Sequence, residues 1–254
     1  MAPVEVSLEL IVVLFAVAAI AGWVDTLAGG GGLIVLPVLM MTGISPVAAL
    51  ATNKCQGFVG TFTATITLIT KRKLSTDGLL PLMLMSGVGA AIGTVLIQLI
   101  DTQWLSWAVP VLLVFVALYF LLSPNLGAVE KKPKLSHNQW KNSAVPLIGF
   151  YDGFFGPGTG SFFAASSVML RGKNLIDATV MAKPLNFTSN IASLVVFAFG
   201  GQVLWKVGAI MMLGQLLGAF IGTHTIFWGG AKLIRPLVIL MCVAMSIKQI
   251  LALL

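Results

Sequence analysis

The chain has 254 residues, 58% of them hydrophobic and only 9% charged, with a formal net charge of +7 and a mean hydropathy of +1.01. A soluble domain carries roughly a quarter of its residues charged, so a water-soluble globular protein is excluded. The positive charge does not point to nucleic acid, because the basic residues sit in short loops between apolar runs, where membrane topology places them. The apolar runs are continuous rather than alternating and approach the ~20 residues of a bilayer crossing, which selects helices over a barrel.

In chain order, an apolar stretch at 8–28 runs into Gly29-Gly30-Gly31-Gly32, and a short helix is expected at 33–42. Ser45-Pro46 has the form of an N-cap and first-turn pair opening a long helix to residue 70. Helices follow at 77–100 and 104–122, then a polar loop at 123–142. The second half opens with 143–155, broken by Gly156-Pro157-Gly158-Thr159-Gly160, and continues as a short helix at 161–170. Three long helices close the chain at 175–200, 203–228 and 232–253. Before the first run, Met1 to Glu5 carry no basic residue, so no cleaved signal peptide is expected. Cys55 and Cys242 lie inside apolar runs and read as small core residues.

The two halves repeat each other. Gly22-x-x-Asp25-x-x-x-Gly29-x-Gly31 recurs as Gly149-x-x-Asp152-x-x-x-Gly156-x-Gly158. After a small insertion, Lys54 falls on Lys183, and Gly89-Ala90-x-Ile92-Gly93-Thr94 falls on Gly218-Ala219-x-Ile221-Gly222-Thr223. Registered Asp, Lys and Gly positions indicate duplication rather than shared composition.

Basic loops stay cytoplasmic, and this rule fixes the relative sense of the halves. If 143–170 is a hairpin that returns to the side it entered, the basic loops at 71–73, 131–141, 171–173 and 232–235 all lie inside, with only Lys206 and Lys248 outside. If 143–170 crossed once, two of those clusters would be exported. The hairpin arrangement makes each half one hairpin plus three crossings, so the second half is inverted relative to the first. The expected fold is an all-α integral membrane protein: residues 1–122 form the first repeat, 123–142 a cytoplasmic linker and 143–254 the second repeat. Both termini then lie outside the cytoplasm. The first hairpin's leading arm is long enough to span outright, a mismatch that leaves the parity unchanged.

Lys54 and Lys183 each lie well inside a long helix, roughly 13 Å from its start at about 1.5 Å per residue, near the middle of a hydrocarbon core of about 30 Å. An ammonium at that depth costs several kcal/mol unless it meets an anion or water. The alternatives are a snorkelling lysine or a plain ion pair with an aspartate. Glycine-broken hairpins with short arms should tip near the same plane and aim free N–H groups and the positive end of a helix dipole at the centre. Gly30, Gly31, Gly158, Thr159 and Ser161 are therefore candidate ligand contacts, tight helix packing being the other use of such residues. They are not nucleotide loops, since no Gly-Lys-Ser/Thr follows.

Asp25 and Asp152, one turn before the tips, can balance the lysines, carry protons or cap loop amides. Asn53, Gln56, Asn186, Ser189 and Asn190 can bind an oxyanion or join helices. Gly89/Gly93 and Gly218/Gly222 are GxxxG pairs, read as packing. His137 and His224 lack partners at metal spacing. Trp104, Trp107, Trp205 and Trp228 near helix ends fit interfacial anchors.

At these residues the sequence resembles the sulfite exporter TauE/SafE family over nearly its whole length. The resemblance rests on Ala21-Gly22-Trp23-Val24-Asp25-x-x-Ala28-Gly29-Gly30-Gly31-Gly32, Ser45-Pro46-x-x-Ala49-Leu50-Ala51-Thr52-Asn53-Lys54 and Gly149-Phe150-Tyr151-Asp152-Gly153-Phe154-Phe155-Gly156-Pro157. Lys183-Pro184-x-Asn186-x-Thr188-Ser189-Asn190 and Lys232-Leu233-Ile234-Arg235-Pro236 add to it, Pro184 standing where an apolar residue is expected. The resemblance implies about eight membrane segments in inverted halves and transport of sulfite or organosulfonates.

The expectation is a secondary transporter of a small anion at the inner membrane, with Lys54 and Lys183 holding the solute between the two tips. An anion channel, or a carrier of another anion such as a carboxylate, uses the same residues. A membrane enzyme lacks a nucleophile–base set and metal spacing. The partners expected are the anionic solute and membrane lipid, with a homodimer left open; no cofactor, metal or nucleic acid is expected.

Overall fold

A computed structural model describes residues 8–99 and 130–251. Among them the chain is helical, with no strand. The first half contains α1 (Leu8–Ala28), α2 (Gly31–Met41), α3 (Pro46–Thr70) and α4 (Leu79–Ile97). The second contains α5 (His137–Asn142), α6 (Ala144–Phe154), α7 (Thr159–Arg171), α8 (Leu175–Phe199) and α9 (Trp205–Leu251). Among the described residues, three segments are long and apolar enough to cross a membrane: Leu8–Ala28, Leu79–Ile97 and Trp205–Gly229. The equally long α3 and α8 are more polar and pack against each other inside the bundle.

Local chemistry sets the breaks. Ser45 caps α3, its hydroxyl accepting from the Ala48 N–H at 3.4 Å, with Pro46 in the first turn. Gly29, Gly156 and Gly158 have φ of +70°, +93° and +79°, the left-handed region that glycine enters at least cost. These residues let each hairpin reverse within two to four residues.

Packing is reciprocal between the halves. The leading arm α1 lies along α9, and its counterpart α6 lies along α4. A methyl group added at Gly89 or Gly93 would strike the carbonyl oxygens of Pro146 and Phe150. One added at Gly214 or Gly218 would strike those of Phe15 and Ala19. The GxxxG glycines are therefore points where backbones touch, as small residues allow in membrane bundles.

The hairpins open toward opposite ends. At one end, Leu14 of α1, Leu39 of α2 and Ala48 of α3 share a cluster with Val207 and Met211 of α9. At the other, the basic loops converge: Lys73, Ser75, His137, Arg171 and Lys173 line one cavity of about 220 Å³. The Lys131 N–H donates to the Gly172 carbonyl at 2.7 Å, Lys173 pairs with Glu130 at 2.8 Å, and Lys71 contacts His224. The loops at 71–76, 130–141 and 171–174 thus share one end. Trp205 and Trp228 are exposed at the two ends of the span they bracket.

Two expectations need correction. The loop at 123–142 is not wholly irregular, because Ser136 and Gln139 form a reciprocal capping box that starts α5. The break expected between 228 and 232 is missing: α9 is one helix from Trp205 to Leu251. Gly229-Gly230-Ala231 removes side chains but no N–H donor, so helical bonding continues, and Pro236 is accommodated within the helix. The helix expected at 104–122, with Trp104 and Trp107, and the side chain of Cys242 lie outside the described residues. Cys55 is buried, facing Gly208.

Candidate functional site

The two glycine tips meet inside the bundle. Gly29 and Gly160 touch so closely that neither has room for a side chain, and the Ser161 hydroxyl donates to the Ala28 carbonyl. The second tip is pinned by Tyr151, whose hydroxyl donates to the Pro157 carbonyl at 2.7 Å. Beside this junction, α3 and α8 bring Lys54 and Lys183, each only 1% exposed.

Each lysine reaches the aspartate-bearing arm of the other half. Lys54 Nζ lies 2.7 Å from Asp152 Oδ1, a fully buried ion pair. The same carboxylate oxygen accepts from the Thr159 hydroxyl at 2.6 Å. Lys183 Nζ also lands on its opposite aspartate, but on the backbone: it donates to the Asp25 carbonyl at 2.7 Å. The Asp25 carboxylate instead accepts from the Gly31 N–H at 3.0 Å, capping the start of α2. Of the three roles open to the aspartates, Asp152 balances a lysine and Asp25 caps a loop amide.

A cavity of about 20 Å³ lies among these groups. It has room for about one water. Its walls include Lys54, Asp25 and Asp152, together with Asn53, Gln56, Asn186 and Asn190 from α3 and α8 and Gly158 and Thr159 from the second tip. Lys183, Gly30, Gly31 and Ser161 do not line it. Ser189 turns its hydroxyl to the Asn186 carbonyl at 3.1 Å. The wall amides are already ordered: Gln56 donates to Asn53 at 2.9 Å and Asn190 to Asn186 at 3.2 Å.

Sequence reasoning missed Gly57 and Gln215, which line the cavity together with Gly29, Gly32 and Gly156 of the expected glycine tips. Gly32 and Gly156 matter by their smallness, which brings backbone against Asn53 and the Lys54 ammonium. Gln215 carried a usable signal, a lone amide within the apolar segment Trp205–Gly229. Among the described residues, Asp152 Oδ2, Gln56 Oε1 and Gln215 Oε1 are buried with no hydrogen-bond partner.

Residues 14–249 match the model of the sulfite exporter TauE/SafE family. The chain belongs to that family. It is 42% identical over 246 residues to a probable membrane transporter protein of Haemophilus influenzae, covering 97% of this chain and 96% of the relative. It is 43% identical over 244 residues to the probable membrane transporter protein ORF9 of a Sinorhizobium species, covering 96% and 94%. It is also 43% identical over 243 residues to the probable membrane transporter protein YfcA of Escherichia coli K12, covering 96% and 90%. No solved structure matches the chain. Family membership and the three apolar spans make it a membrane transporter.

Proposed function

We propose that the protein is a secondary transporter of the inner membrane, built from two inverted repeats, that carries a small anion of the sulfite or organosulfonate class by alternating access. The observation that carries this reading is the polar cavity at the meeting of the two glycine tips, walled by both halves, with the Lys54 ammonium in its wall. The family name supports the solute class. The opposed hairpins and the reciprocal packing of α1 on α9 and α6 on α4 support the inverted repeats. Discontinuous helices whose tips meet at a midplane site suit such a carrier.

Lys54 and Lys183 remain the proposed solute-holding cations, with different standing. Lys54 faces the cavity, whereas Lys183 acts from behind Asp25. The cavity is narrow, so loading requires the halves to part at one end. Rocking of the halves exposes the site first at the basic-loop end and then at the end where the α1–α2 hairpin opens. The basic loops are placed in the cytoplasm and both termini outside.

Reconstitution into proteoliposomes tests the transport reading. A carrier takes up labelled sulfonate against its gradient when an ion gradient or counter-solute is supplied, and its rate saturates. Strictly downhill, non-saturating flux would instead identify an anion channel. Competition by small carboxylates over sulfur oxyanions would shift the solute class. Reporter fusions at 71–76, 130–141 and 171–174 should all read cytoplasmic, and one periplasmic reading breaks the topology.

A further inference from the structure

The charges that meet around the central cavity cancel. Lys54 and Lys183 bring two positive charges from α3 and α8, and Asp25 and Asp152 bring two negative ones from α1 and α6. No other described element brings a charge to it. α2 and α4 contain no ionisable residue. Arg171 of α7 and Asp177 of α8 line the loop-side cavity, and Lys206 and His224 of α9 lie toward that helix's two ends of the span. Glu9 is exposed in the first turn of α1, and Cys55 packs against Gly208.

A monoanion added alone would therefore leave this buried cluster with one uncompensated negative charge, which is costly away from water. It would also have to approach Lys54 beside the carboxylate that already holds it at 2.7 Å. That carboxylate is unevenly used. Oδ1 serves both Lys54 and Thr159, while Oδ2 is buried with no partner in a residue that lines the cavity.

We infer that the solute anion enters together with one proton, which Asp152 takes on Oδ2 as the anion replaces it as the counter-ion of Lys54. The proton comes from the same aqueous face as the anion and forms one O–H bond on the carboxylate. No protein bond breaks except the ion pair, and the cluster stays neutral before, during and after occupancy. Release of anion and proton at the other face restores the pair, so the cycle for a monoanion moves no net charge. This inference rests on the transport reading and names its coupling ion.

Methanesulfonate is the suitable probe, because it stays a monoanion throughout the usable pH range. It is titrated calorimetrically into the purified full-length wild type in two buffers of different ionisation enthalpy. The expected result is uptake of about one proton per anion bound. Since the loaded state holds the extra proton, affinity falls as pH rises, by up to about tenfold per unit. Asp152→Asn should bind with no proton uptake and an affinity independent of pH, because the anion then supplies the missing negative charge itself. The two-buffer result on the wild type decides even if Asp152→Asn fails to fold. Binding with no proton uptake, or affinity that tracks sodium concentration instead of pH, overturns the inference while leaving the transport reading intact. Proton uptake retained in Asp152→Asn overturns the assignment to Asp152. No anion binding at any pH overturns both.

Discussion

The two hairpins carry the same Gly-x-x-Asp motif, yet the two aspartates have taken different partners. In the first, the Asp25 carboxylate is spent on the Gly31 N–H, and Lys183 makes do with the Asp25 carbonyl. In the second, Thr159 follows the tip and supplies its own hydroxyl, while the Asp152 carboxylate holds Lys54. One half thus fixes its tip by an internal cap, and the other fixes its tip through an ion pair across the repeat boundary. In the proposed rocking of the halves, an internal cap would ride along with its own half, and a cross-boundary ion pair would be the one exchanged for a solute.

Substitutions can break this comparison, and the largest effect belongs to the ion pair. Lys54→Ala or Asp152→Asn leaves a buried charge without its partner and should cost about 3–5 kcal/mol, read as the greatest loss of melting temperature in detergent. Next come the backbone contacts between halves. Gly93→Val and Gly218→Val should each cost about 1–3 kcal/mol by overpacking, and similar values for the two would show that the reciprocal interfaces are equally tight. Lys183→Ala removes a donor from the Asp25 carbonyl and should cost about 1–3 kcal/mol, below the Lys54 change in the same assay. The smallest effect is expected from Asp25→Asn, whose amide oxygen still accepts from Gly31, at about 0.5–1.5 kcal/mol. If Asp25→Asn proved as damaging as Asp152→Asn, the two hairpins would be equivalent and the asymmetry would fall.

Much of this was legible in the residues. Ser45-Pro46 marked the start of α3, the glycine runs marked both tips, and the registered motifs named all four charges that meet at the cavity. What escaped depends on contacts that spacing does not encode. Which atom of each aspartate meets a lysine is set by how the tips nest, with Gly29 against Gly160, a contact between distant segments. Gln215 reaches the cavity because Gly60 on α3 leaves room for its side chain. α9 runs on past residue 229 because small residues thin a helix without stopping it, so a glycine pair misleads where no capping residue follows. The capping box at Ser136 and Gln139 was readable and was overlooked within a polar stretch.

Calorimetric titration of methanesulfonate into wild type, Lys183→Ala and Lys54→Ala most directly tests the proposal that Lys54 is the cation that receives the solute. The expected result is saturable binding to the wild type, weakened binding to Lys183→Ala and none to a folded Lys54→Ala protein. An unchanged affinity in folded Lys54→Ala would contradict it.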